Sequence, residues 1–215
     1  MKINSLLCHS LFYLSFPLLL FCGGFLRWYV ATLYIVAILW SVYSIYRLHC
    51  LEDNSWELNR GQLISIVALA LLCCFFLGVG GYWTQSYDWV VKNPILNELT
   101  QSSWPLVVNN STATTEVKDI CGADRVVVVY YLYFYLPAAL VGKLVGSLTL
   151  ARFTLFLWSV YGLVLILSWL LRFVSHTSLS RYITIWVLVC FVVWGGMDIL
   201  GQCLRVLVLW VWGVI

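Results

Sequence analysis

Long apolar runs separated by short polar connections dominate this chain. They fall at residues 5–26, 28–46, 62–80, 126–141, 153–173 and 182–200. A seventh, LRVLVLWVWGVI, ends at Ile215. Runs of about 18 or more apolar residues read as membrane-spanning helices. Lipid leaves no partner for free backbone groups, so the spans must be helices. A membrane β-barrel would show short alternating segments instead. The pattern predicts an all-α, polytopic transmembrane bundle of six to seven spans. The opening run is too long for a signal-peptide core and another span follows at once, so it reads as a retained helix.

Two organisational expectations follow. Residues 1–61 form a transmembrane hairpin with its cytoplasmic connection, RLHCLEDNSWELNRG. Residues 62–215 form the main transmembrane region, with one long loop at 81–125. The last segment is only about half a span long, which predicts that the sequence is the front part of a longer protein.

Composition agrees with the pattern. The chain is 63% hydrophobic and 10% charged, with 12 Trp and 13 Tyr, far too little charge for a soluble surface of this length. The net charge of +3 is spread thinly, and no basic cluster points to nucleic acid. Eight cysteines include no CxxC, and most lie in apolar runs, so they read as small packing groups. His9, His49 and His176 have no metal-ligand spacing, and no cofactor motif is present. Asn109-Asn110-Ser111-Thr112 contains two overlapping glycosylation acceptor patterns, relevant only in a eukaryotic secretory setting.

Lys and Arg divide evenly between the two sides if every run spans. Discounting the long loop favours the N-terminus inside, the loop outside and the Lys143 turn in the cytoplasm. Cys121 should then react from outside intact cells and Cys50 should not.

Three constellations carry candidate chemistry. The first is in YWTQSYDWVVKNPILNELTQSSWPL. A helix over 87–99 would put Asp88 and Lys92 on one face. Ile95, Leu96 and Leu99 would form an apolar stripe suited to the membrane surface. Asp88 is then either a general base, with Lys92 or Asn93 beside it, or half of an exposed ion pair, which is common and weak. The second is RVVVVYYLYFYLPAALVGKLVG. Its tyrosines, Tyr131 among them, match an interfacial aromatic belt, and Pro137 would bend or break the helix. Lys143 and Arg152 flank the next turn; headgroup anchoring is the simpler role for them and phosphate binding the sharper one. The third is WGGMDILG. Its Asp198 is the one acidic residue inside a predicted span, facing either a polar cavity or the nearby interface.

These strings together resemble a group of large bacterial multi-pass membrane proteins related to the GT-C glycosyltransferase superfamily. The likeness covers roughly residues 75–205. A span leads to an acidic residue in the first large outer loop, then to Trp104-Pro105. An aromatic, proline-containing helix start, Lys-x-x-Gly and Ala151-Arg152 follow. The resemblance implies a multi-pass protein of the bacterial cytoplasmic membrane. Its donor would be a polyprenyl-phosphate-linked sugar and its acceptor a cell-envelope glycan, lipid or protein. Asp88 would be the catalytic base of an inverting transfer that needs no cofactor. Lys92, Asn93, Trp104, Arg125, Tyr131, Arg152 and Asp198 would contact substrate, with Arg152 qualifying only on the outer side. Membrane lipids and the lipid-linked sugar would be its partners. Two alternatives remain open: a transporter or flippase-like protein using Asp198, and a non-catalytic membrane subunit.

Overall fold

The computed structural model describes residues 3–49, 57–85, 87, 89–109, 125–127 and 132–175. The regular elements among the described residues are helices, apart from one short ribbon. The helices are α1 (Ile3–Phe25), α2 (Trp28–His49), α3 (Arg60–Phe76), α4 (Trp89–Gln101), α5 (Leu132–Val145) and α6 (Leu148–Ser175). Strands β1 (Val107–Asn109) and β2 (Arg125–Val127) pair antiparallel, Val107 opposite Val127 and Asn109 opposite Arg125.

Three of these helices are long and apolar enough to cross a membrane: α1, α2 and α6. The protein is therefore a helical membrane protein. At 17 and 14 residues, α3 and α5 are shorter. At 1.5 Å per residue they reach about 26 Å and 21 Å, against a hydrocarbon core of about 30 Å.

Local chemistry sets the ends of α3. Asn59 and Gln62 form a reciprocal capping box: the Asn59 N–H donates to Gln62 Oε1 at 3.0 Å, and the Asn59 side chain accepts from the first turn. This starts the helix at Arg60, slightly earlier than the apolar pattern alone suggests. Beyond Phe76 the chain enters a glycine turn. Gly78 and Gly80 have φ of 68° and 77°, a region open to glycine at little cost. A Cβ on Gly80 would also lie 2.8 Å from the Arg152 carbonyl oxygen.

The chain divides into two compact units, Met1–Leu165 and Ile166–Ile215. In the second, only the end of α6 is described, where Arg172 lies 5.0 Å from the centre of the Trp169 ring. The core of the first joins Leu96 and Leu99 of α4, Leu132, Tyr135 and Leu136 of α5, and Ala151 and Leu155 of α6. Aromatic side chains bridge α1 to α6. Tyr13 stacks on Trp158 at 4.5 Å, and the Tyr13 hydroxyl fills the space above Gly162. His9 hydrogen-bonds the Tyr161 hydroxyl at 2.8 Å.

Three expectations are corrected. The predicted fourth span over 126–141 is not one helix. Val126 and Val127 belong to β2, and α5 begins only at Leu132. Four consecutive β-branched valines favour extended backbone, and Val107-Val108 provide a strand for two of them to pair with. Pro137 does not end the helix: α5 runs through it.

Second, the apolar stripe of α4 does not need a membrane surface. Leu96 and Leu99 are fully buried against α5 and its neighbours, and Ile95 packs on the same cluster. Lipid offers no close-packed partner of fixed shape, whereas α5 does.

Third, the Lys143 turn is not across the bundle from the long loop. The Lys143 ammonium donates to the Ser102 carbonyl at 2.6 Å, and Gly80 abuts the Arg152 backbone. The start of α6 therefore sits with the end of α3 and with the loop. Tyr133, in the first turn of α5, lies 4.6 Å from Phe21, and Lys143, in its last turn, lies beside the Trp104 ring that covers Gly24, so both ends of α5 lie by the C-terminal turns of α1. Cysteines placed at Gln101 and at exposed Leu144 should react with an impermeant maleimide from the same side of the membrane, above the background of the unsubstituted chain. Labelling from opposite sides would contradict this packing. Cys50 and Cys121, on which the orientation expectation turned, lie outside the described residues.

Candidate functional site at the loop end of the bundle

The site forms where four segments meet: the end of α1, the link after α4, the turn between α5 and α6, and the glycine turn after α3. Trp104 is the centrepiece. Its indole N–H donates to the Leu99 carbonyl at 2.9 Å. Its ring lies 5.9 Å from Phe25 and covers Gly24, where a Cβ would come within 2.6 Å of it. Lys143 sits 5.1 Å from the indole centre. The hydrogen bond to Ser102 and the ring face together hold the ammonium in one place. An ammonium has three N–H donors, so the bond to Ser102 leaves capacity for a ligand.

Lys143 also lines an open cleft of about 370 Å³, with Thr100, Gln101, Gly146 and Leu148. Thr100 is buried and donates to the Leu96 carbonyl at 2.7 Å. Gly146 has a φ of 70° and ends α5 by turning the chain into α6. Ser147 caps α6, its hydroxyl accepting from the Leu150 N–H at 3.3 Å. The C-terminus of α5 and the N-terminus of α6 thus meet at this turn. Their end charges, roughly −0.5 and +0.5, largely offset one another. Among the described residues, the charged side chain lining the cleft is that of Lys143. Glu98, the nearest described carboxylate on α4, takes the Ser102 hydroxyl at 3.1 Å.

The predicted site residues divide into three groups. Trp104 and Arg152 are both at this end, and Arg152 is exposed near the start of α6. Its backbone carbonyl abuts the glycine turn after α3, where a Cβ on Gly80 would lie 2.8 Å from it. Lys92 and Asn93 face other tasks. Lys92 lies 5.4 Å from the centre of the Trp89 ring. Asn93 donates to Gln85 Oε1 at 2.8 Å, and Gln85 in turn donates to the Gly78 carbonyl at 2.9 Å. That relay ties α4 to the end of α3. Arg125 is described as backbone only, opposite Asn109 in the ribbon. Asp88, Tyr131 and Asp198 lie outside the described residues. Among the described residues no group of His, Cys, Asp or Glu could hold a metal ion.

Thr100, Gln101 and Ser102 carried no signal in the sequence. They join Lys143 only because α4 and α5 pack side by side, over a separation of 41 residues. In comparisons with known proteins, no family model, no curated protein and no solved structure matches this chain.

Proposed function

We propose that this protein is a membrane-embedded, GT-C-like transferase. It takes a sugar from a polyprenyl-phosphate donor to a cell-envelope acceptor at the loop-bearing end of its bundle, on the outer face of a bacterial cytoplasmic membrane. In this reading α3 also spans, lengthened by its glycine turn, and with α5 not crossing the two later apolar runs bring the total to at most six spans. One observation carries the proposal. Lys143 stands at the same end as the long loop and lines a cleft where a carbonyl and an indole face hold its ammonium. The leaving group of such a transfer is a lipid phosphate, and a fixed cation is what its developing charge requires.

The chemistry is a single displacement. Asp88 takes the proton of the acceptor hydroxyl as its oxygen bonds to the anomeric carbon. The bond from that carbon to the phosphate oxygen breaks, and its electron pair leaves with the polyprenyl phosphate. Attack opposite the leaving group inverts the anomeric centre. Arg152, whose backbone abuts the glycine turn before the Asp88 segment, takes the departing phosphate, and Lys143, at the far end of α4, draws the anionic donor to this end of the bundle.

The test uses the full chain in lipid nanodiscs, a radiolabelled polyprenyl-phosphate sugar and an envelope fraction as acceptor. Wild-type protein should release polyprenyl phosphate and label the acceptor. Lys143→Ala should raise the KM for the donor by about 10–100-fold, the range of one charged hydrogen bond of about 1.5–3 kcal/mol. Absence of transfer by wild-type protein would reject the reading, and an unchanged KM in the variant would remove Lys143 from it.

A further inference from the structure

The exposed face of α4 changes character along its length. Tyr87, just before the helix, and Val90 are 85% and 62% exposed, and Pro94 is exposed on the same side. One turn further that face becomes Glu98 and then Gln101, also exposed. Positions 87, 90, 94, 98 and 101 share one side of a 3.6-residue helix. The opposite side, with Trp89, Leu96 and Leu99, is in the core. The helix therefore has two apolar regions, and the outward one covers only its first half.

The depth of that half is set by hydrogen bonds. Gly78, at the end of α3, holds Gln85, and Gln85 holds Asn93. Trp83 folds back onto the last turn of α3, 5.3 Å from Phe75 and 5.7 Å from Phe76. The start of α4 is thus level with the last turn of an apolar helix. Phe76, Leu77, Tyr82 and Trp83 are all exposed there. Aromatic residues collect at the headgroup level of membranes, so these exposed rings mark that level at the end of α3, to which the start of α4 is tied.

We infer that α4 enters the bilayer obliquely, with Tyr87, Val90 and Pro94 at the boundary of acyl chains and headgroups and Glu98 and Gln101 in water. The partner of this face is the bilayer itself. The arrangement places Thr100 and Gln101, and with them the Lys143 cleft, at the height where the phosphates of membrane lipids lie. It does not depend on the transferase reading.

A benzophenone-bearing residue introduced singly at positions 87, 90, 98 and 101 of the full chain tests this. The protein is reconstituted in vesicles of equal parts phosphatidylethanolamine and phosphatidylglycerol, irradiated, and its adducts are read by mass spectrometry. Adducts to acyl chains are expected at 87 and 90, and few or none at 98 and 101. All four positions are exposed, so the folded protein should tolerate each change, and a monodisperse gel-filtration peak checks it. Equal acyl adducts at all four positions, none at 87 and 90, or crosslinks from 87 and 90 to a second copy of the chain would each overturn the inference.

Discussion

On the proposed mechanism, Asp88→Asn should abolish sugar transfer while leaving expression and melting temperature nearly unchanged. An amide has nearly the shape of the carboxylate but cannot accept the acceptor's proton. Loss of a general base costs about 10²–10⁴-fold in rate, and the effect should fall on kcat more than on the KM for the donor. The segment carrying Asp88 leads directly into α4, which Leu96, Leu99 and the Asn93–Gln85–Gly78 relay hold in place. A base needs such an anchored element, because positioning errors of an ångström weaken catalysis strongly. Full transfer activity in the Asn variant would end the case for catalysis at this position. Loss of folding would instead give Asp88 a structural role. Lys143→Ala separates the two halves of the mechanism, since it should act on donor binding and leave the base intact.

Gly142→Leu should disrupt the loop end of the bundle and weaken donor binding with it. Gly142 lies in the last turn of α5, between two neighbours. A Cβ there would lie 2.5 Å from the Ala151 Cβ, 3.0 Å from the Thr100 Cγ2 and 3.1 Å from the Ser147 carbonyl oxygen. Ala151 and Thr100 are both buried, so neither has room to give way. Gly142→Ala gains roughly 0.5–1 kcal/mol of helix propensity, which offsets part of its clash. Leucine gains no more propensity but adds three further carbons at the same contact, where overpacking costs about 1–3 kcal/mol or more. Both substitutions should therefore lower the melting temperature in detergent, leucine by several degrees and more than alanine. Because this contact sets α4 beside α5, the bond from Lys143 to Ser102 should be lost as well. A Leu variant as stable as wild type would contradict the close packing of α4, α5 and α6.

Much of the helical content was legible in the chain. The spans at 5–26, 28–46, 62–80 and 153–173 correspond to α1, α2, α3 and α6, with ends differing by a few residues. The helix expected over 87–99 is α4 at Trp89–Gln101. Trp104 and Arg152 stood out as candidate residues, and both belong to the loop end. Lys143 stood out only as one flank of a turn, and its partners Thr100, Gln101 and Ser102 carried no signal. The runs beyond residue 175, including Asp198, lie outside the described residues.

What the sequence by itself determined is the membrane character of the protein and the position of its long helices. That information is local: an unbroken apolar run in lipid must satisfy its own backbone hydrogen bonds, and a helix does so without help from any other segment. Tertiary structure alone decided which apolar segments pack on one another. The valine run at 126–129 looked like the start of a span, but Val126 and Val127 pair with Val107-Val108. The run in α5 is as apolar as a span, yet it packs on α4 and turns back at Gly146. That one packing choice moved Lys143 and Arg152 to the end of the bundle that bears the loop. A hydrophobic side chain does not specify whether lipid or another helix will cover it. Only the shape of the partner, built from residues far away in the chain, resolves that choice.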